Sequence, residues 1–386
     1  MRKVSIVGIG QTPVREHWEN NLRDLAVTAL RDAMEDAGVE TVDGVCVGNM
    51  LSGALSEQEH LGSLIVDYAG LDGVEGMKIE AACGSGAAAI RMAVKAVASG
   101  LMDAVGVVGV EKLTEFSGKF STASLATAAD ADYEITMGLS FVGINALMMR
   151  RYLHEFKYDK NDFSIFPVNA HHNAVQNPNA MFRYTITPAQ YAKSKMIADP
   201  INLLDSSPIA DGAAAVIVVA EDHINRYKGK GVSILACEVG TDTVALDNRE
   251  DLLWLKGVER SVKKAYHVSG LSPRDIDFFE VHDAFSIITA MSLEASGFAE
   301  KGKAIPFAEK KGISIQGGLP LNTAGGLKGR GHPVGATGVY QVVEAVQQLR
   351  GVMPEAIQVK KNNVAMTQNI GGSGATVITT ILKKIE

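Results

Sequence analysis

The chain has 386 residues, 46% hydrophobic and 21% charged, and its 37 Lys and Arg against 44 Asp and Glu leave a formal charge of −7. That length suits about two or three structural units, or one large duplicated unit, with a core that needs no disulfides. The acidic balance excludes the basic footprint of a nucleic-acid binder. Three cysteines cannot build a disulfide framework and point to a reducing compartment.

Arg2-Lys3 precede only a short apolar run, Val4 to Ile9, too short for a signal-peptide core. The longest apolar run, Ala213 to Ala220, falls well below the ~20 residues that span a bilayer. The expectation is a soluble cytoplasmic protein. Val4 to Ile9 itself reads as a buried strand. Leu22 to Ala37 places Leu22, Leu25, Ala26, Ala29, Leu30, Ala33, Met34 and Ala37 at helical spacing, with Gly38 as the stop. Val42 to Val47 and Met77 to Ala82 read as strands, the second running into Cys83-Gly84-Ser85-Gly86. The helix that follows ends at Gly100, and its narrow polar stripe of Arg91, Lys95 and Ser99 predicts burial on most sides. Ala104 to Val110 is a further strand. Alternating strands and helices indicate an α/β architecture with buried sheets.

From Glu111 to Pro200 aromatics, Asn, His and Met increase and long apolar strands vanish, so a largely helical, loop-rich insertion is expected. Strand-helix texture returns at Ile209. The second half then repeats the first: a helix from Gly257 to His267, Gly270, a strand Ile276 to Val281, a helix opening at Gly331-His332-Pro333 and running to Arg350, and Gly371-Gly372-Ser373-Gly374 leading into an apolar run as Asp211-Gly212 does. Such self-similarity predicts two α/β halves about a pseudo-two-fold axis. The expected domains are 1–110 with 201–230, an insertion at 111–200, and 231–386. On this alignment Cys83 and His332 fall at equivalent helix starts.

Cys83 stands at a strand-to-helix junction among glycines, where the helix N-terminus favours a thiolate and free N–H groups suit an oxyanion. The alternative for a free cysteine is an inert buried residue, the reading given to Cys46 and Cys237 inside apparent strands. His332 precedes Pro333, a residue favoured in a first helical turn, and a neutral imidazole there can take a thiol proton and return it. A loop-capping His is the alternative. His282 in Val281-His282-Asp283-Ala284-Phe285 lies at the carboxyl end of a strand, where α/β proteins place sites; the alternative is a surface His paired with Asp283. Gly8-Ile9-Gly10 fails as a dinucleotide fingerprint because Pro13 occupies the third glycine's place. Adjacent His171-His172 point apart on a helix, and no Cys pair has zinc spacing, so no metal is expected.

Ala82-Cys83-Gly84-Ser85-Gly86, Val281-His282-Asp283-Ala284-Phe285, Gly331-His332-Pro333-Val334-Gly335-Ala336-Thr337-Gly338 and Asn369-Ile370-Gly371-Gly372-Ser373-Gly374 together resemble the thiolase superfamily over essentially the whole chain. The His-Asp-Ala-Phe form and Ile197 to Asp205 look like its sterol-carrier-type branch, and Asn322 to Pro333 is similar to archaeal acetoacetyl-CoA thiolases. The resemblance implies a thiolase fold, a five-layered αβαβα sandwich with an inserted loop domain, in a homodimer or dimer of dimers. It implies acyl transfer between coenzyme A thioesters with no tightly bound cofactor. Cys83 would carry the acyl group, His332 would activate it, His282 and Phe285 would stand near one oxyanion site, and the Cys83 and Gly371 amides would form the other. Arg183, Lys193 and Lys195 of the insertion would face the CoA phosphates. Partners implied are 3-hydroxy-3-methylglutaryl-CoA synthase and a small zinc-ribbon/OB-fold protein, on the way to mevalonate. One departure is visible: Ala284 and Asn369 occupy the positions where many thiolases carry a second, acid/base cysteine. Other functions compatible with the residues are a decarboxylating Cys-His-His condensing enzyme and a non-catalytic subunit of a complex; Cys83 counts against an aldolase-like relative.

Overall fold

Apolar runs become strands wherever both faces are covered. In the computed structural model, which describes residues 2–385, the first half contributes β1 (Val4–Gln11), β2 (Gly44–Gly48), β3 (Glu75–Ile79) and β4 (Ala104–Glu111). A small hairpin of β5 (Met196–Ala198) and β6 (Ile201–Asn202) precedes β7 (Gly212–Ala220), which returns to the sheet. The second half supplies β8 (Val232–Thr241), β9 (Phe278–Glu280), β10 (Val364–Gly371) and β11 (Thr376–Lys384). The strand order is β3-β2-β4-β7-β1 continuing into β8-β11-β10-β9. Only Val4, Ser5 and Ile6 of β1 pair with Ile234, Ser233 and Val232 of β8, so the two halves meet at a short seam.

Read outward from that seam, the halves match in order and sense. β1, β7, β4 and β2 correspond to β8, β11, β10 and β9, antiparallel at the first steps and parallel at the last. The duplication expected from sequence is therefore present, and β3 is the extra strand. Helices α1 (Leu22–Ala37) and α2 (Leu61–Tyr68) pack on the outer face of the first half. α3 (Ser85–Ser99) packs in the middle of the molecule. α4 (Phe141–Phe156), α5 (Ile165–Ala174), α6 (Lys256–Ser269) and α7 (Ser286–Ala295) cover the outer face of the second half, and α8 (Thr337–Arg350) joins α3 between the sheets. This is the layered αβαβα arrangement.

α1 forms for local reasons: an Asn21/Asp24 capping box opens it, and Gly38 at φ 72° closes it. α8 is held by burial. Val339, Val342, Val343, Val346 and Leu349 are all fully buried, each stabilising the fold by about 1.5–3 kcal/mol. α3 and α8 approach so closely that a Cβ on Gly86 would sit 2.8 Å from the Gly335 oxygen, and one on Gly338 would sit 2.4 Å from the Ala87 nitrogen. Only glycine permits that contact.

Several boundaries differ from those expected. The second strand starts at Gly44, and the third ends at Ile79, releasing Glu80–Ala82 for a turn. The Ile276–Val281 strand shortens to β9 because Val281 N–H leaves the ladder for Asn322 Oδ1 at 2.8 Å. The last long helix begins at Thr337, not at Gly331. Gly331 has φ 114°, and His332 pairs through its backbone with Ile209 in an isolated bridge. His332 therefore sits on a fixed loop before the helix, and Pro333 belongs to the turn that leads into it. Among the described residues no helix is long and apolar enough to cross a membrane.

Candidate active site

Cys83 occupies a strained turn between β3 and α3. Ala82 before it has φ 52°, an uncommon conformation for a side chain with a Cβ. Ser85 holds the turn: its hydroxyl donates to the Ala82 carbonyl at 2.6 Å and accepts the Ala81 N–H at 2.9 Å. Such strain costs about 1–3 kcal/mol and persists only where neighbours enforce it. The half-buried thiol opens onto a cavity of about 230 Å³. His282 and His332 line the same cavity, with Phe285, Gly372, Asn145 and Ser206 among the other wall residues.

The two imidazoles lie edge to face, their centroids 5.2 Å apart at 85°. His332 Nδ1 is 2.7 Å from Thr337 Oγ1, and the Thr337 hydroxyl donates to the Pro333 carbonyl at 3.1 Å. A hydroxyl has one hydrogen, so Thr337 accepts from the ring. His332 thus carries its proton on Nδ1 and offers a lone pair at Nε2. His282 Nδ1 is 3.2 Å from Asn369 Nδ2.

Burial sets the charge states. It pushes the Cys83 thiol up to about 12, with the nearby Glu111 charge acting in the same sense and the Gly372 N–H, which bonds the sulfur, opposing it. It holds His282 down at about 3, aided by the Arg330 and Lys328 charges. His332 is driven well below its usual range by burial, then by His282, Arg330 and Lys328. The resting site is therefore a neutral thiol beside two neutral imidazoles. This corrects the expectation of a thiolate stabilised by the α3 N-terminus: desolvation outweighs the helix.

Glu111, at the end of an otherwise apolar strand, ties the site together. Its Oε1 accepts from Asn49 Nδ2 and Leu51 N at 2.9 and 3.1 Å, and its Oε2 accepts from Met50 N and Gly335 N, both at 3.0 Å. Burial raises it to about 7 against those donors. Glu111, Ser85, Thr337 and Gly372 escaped the sequence reading. The lone charge closing Val105–Val110 was the available signal for Glu111.

Residues 4–222 match the family described as Thiolase, N-terminal domain, and residues 239–384 match Thiolase C-terminal domain-like. The chain belongs to the thiolase family. Acetyl-CoA acetyltransferase of Methanothermobacter thermautotrophicus is 41% identical over 386 residues, covering 100% of both chains. Human sterol carrier protein 2 is 30% identical across 98% of this thiolase and 72% of its own length. Among solved structures, the Ltp2-ChsH2(DUF35) aldolase superposes with a TM-score of 0.85 at 24% identity, covering 99% of this chain and 98% of that one. Human mitochondrial 3-ketoacyl-CoA thiolase in complex with CoA superposes with a TM-score of 0.75 at 20% identity, covering 100% and 98%. At those identities the superpositions establish the fold.

The remaining expected site residues of this thiolase divide. Cys83, His282, His332 and Phe285 share the cavity wall; Gly371 does not, and the neighbouring Gly372 does. Gly371 closes the β10 ladder opposite Thr376. Arg183, Lys193 and Lys195 are all exposed and outside the wall. The Lys195 carbonyl accepts the Leu203 N–H at 2.8 Å, and Leu203 with Ile197 does line the cavity. Arg183 lies instead against the Val175 carbonyl at 3.4 Å.

Proposed function

We propose that this thiolase transfers an acetyl group between coenzyme A thioesters, condensing two acetyl-CoA to acetoacetyl-CoA or cleaving that product with CoA. The observation that carries the reading is the convergence of one thiol, two neutral imidazoles of fixed orientation and a backbone N–H on one largely apolar cavity. Full-length identity to an acetyl-CoA acetyltransferase supports it.

In the acylation half, Cys83 Sγ attacks the thioester carbonyl carbon as its proton passes to His332 Nε2. The Gly372 and Cys83 amides would hold the developing oxyanion, the part that the family resemblance assigns to Cys83 and Gly371. The bond to the CoA sulfur breaks, and that sulfur receives the proton from His332, so acyl-Cys83 and free CoA leave a neutral imidazole behind. A concerted transfer of this kind suits a thiol held neutral. Asn369 and Ala284 hold no exchangeable acid/base proton, so the α-proton of the second acetyl-CoA must go to an imidazole.

Coenzyme A enters as substrate. Lys193 and Lys195, exposed beside a segment that walls the cavity, would meet its phosphates; Arg183 is assigned the same role on the strength of the family resemblance. The unpaired outer edge of β3, where Met77 is 63% exposed, supports a homo-oligomer. A cytoplasmic location and an assembly with 3-hydroxy-3-methylglutaryl-CoA synthase through a zinc-ribbon/OB-fold protein, leading toward mevalonate, rest on the resemblance alone; co-purification from the native cell tests the assembly.

The deciding experiment is intact mass after incubation with acetyl-CoA. One acetyl adduct, mapped to the Cys83 peptide, is expected. Cys83→Ala should remove the adduct and lower acetoacetyl-CoA thiolysis by at least about 10⁴-fold. Full thiolysis by that variant would overturn the mechanism.

A further inference from the structure

Asn369 lies two residues before the end of β10 with its side chain pinned between α3 and His282, and it is 1% exposed. Its Oδ1 faces the Ala87 N–H at 3.4 Å, and its Nδ2 faces His282 Nδ1 at 3.2 Å. Ala87 lies in the first turn of α3, where N–H groups lack intrahelical partners. A backbone N–H can only donate, so it selects the carbonyl end of the Asn369 amide and turns the amino end toward the ring. An amino group can only donate as well. His282 Nδ1 must therefore be the lone pair, and the neutral ring carries its proton on Nε2. Thr337 fixes His332 in the opposite tautomer. Of the groups lining the cavity, only Cys83, His282 and His332 titrate.

Building on the acyl-transfer reading above, we propose that Asn369 is a positioning residue that locks His282 as a hydrogen-bond donor, leaving His332 Nε2 as the single base for both proton transfers, the α-proton of the second acetyl-CoA included. The steps balance. After acylation His332 is neutral again. It removes the α-proton of acetyl-CoA while His282 Nε2–H holds the enolate oxygen. The enolate carbon then bonds to the acyl carbon, the acyl–sulfur bond to Cys83 breaks, and the sulfur recovers the proton from His332. The residue at a position where many thiolases place an acid/base cysteine thus does no proton chemistry itself. It fixes which imidazole can.

Nitrogen-15 NMR of histidine-labelled protein without substrate reads the tautomers directly, with His282→Asn and His332→Asn spectra for assignment. The expected spectrum has His282 protonated at Nε2 and bare at Nδ1, and His332 the reverse. His282 protonated at Nδ1 overturns the proposal. Asn369→Leu, which keeps the size and removes the donor, should give a mixed His282 tautomer. It should also lower kcat for thiolysis about 10- to 100-fold with KM within about twofold. A variant with an unchanged tautomer or unchanged kcat also overturns it. Should Asn369→Leu fail to fold, Asn369→Ser takes its place, and the wild-type spectrum decides regardless. Because the tautomers are read without turnover, their failure is separable from failure of the acyl-transfer reading, which would show as no acetyl adduct on the unaltered protein.

Discussion

Cys83 carries two opposing influences, and their sizes decide its state. A helix N-terminus favours a negative neighbour by about 0.3–1 kcal/mol, up to ~2 in partly buried geometry. Moving a thiol from 9.0 to about 12 corresponds to about 4 kcal/mol against the thiolate. Burial and the Glu111 charge win. The consequence is a protected nucleophile that becomes reactive only as its proton leaves for His332. Alkylation of the free protein by iodoacetamide, which needs the thiolate, should therefore be slow at pH 7 and keep rising with pH through 9 and 10. A rate that levels off by about pH 8 would show an activated thiolate and contradict this picture. The measurement is the alkylation rate of Cys83 followed by peptide mass across that range.

At the scale of elements, the site exists because α3 and α8 touch through glycine. A Cβ on Gly338 would lie 2.3 Å from Asn369 Oδ1 and 2.4 Å from the Ala87 nitrogen, the two atoms whose contact turns the Asn369 amino group toward His282. Gly338→Ala should destabilise the fold by about 1–3 kcal/mol, as overpacking does. It should also lower kcat more than a surface substitution of equal stability cost. Urea unfolding and thiolysis kinetics check the pair of effects, and a variant with native stability would remove the argument. These contacts explain what the sequence could reveal. The periods of α1 and the apolar runs of β1, β4 and β7 are local patterns, so they were legible, as was the repeat itself. The equivalence of Cys83 with His332 drawn from it does not hold, because α3 starts at Ser85, just after Cys83, whereas a longer turn separates His332 from the start of α8 at Thr337. The turn that holds His332 was misread as helix because Pro333 suits a first helical turn, whereas the bridge to Ile209 that fixes it joins segments far apart in sequence. Asn369 showed itself only as a missing cysteine. Its hydrogen bonds to Ala87 and His282 span |i−j| of 282 and 87, and no window along the chain contains them.

Across the whole molecule, buried ionisable groups make stability depend on pH in opposing ways. His282 falls from 6.5 to about 3 in the folded protein. The unfolded chain binds a proton there below pH 6.5 while the folded protein does not, so this term is fully present above 6.5 and is lost as pH drops toward 3. Glu111 and Glu280, each raised from 4.5 to about 7, act the other way. Their folded forms keep a proton that the unfolded chain releases, so they favour the fold more as pH falls from 7 to 4.5. A wild-type stability curve sums these and hides each. The difference between His282→Asn and the unaltered protein isolates one. Between pH 7 and pH 5 that difference should shift in favour of the variant by about 2 kcal/mol, at about 1.4 kcal/mol for each pH unit below 6.5. Thermal or urea unfolding of both proteins at the two pH values measures it. An offset that stays constant would mean that His282 titrates alike in the folded and unfolded chains, and the neutral donor imidazole assigned to His282 would then need another explanation.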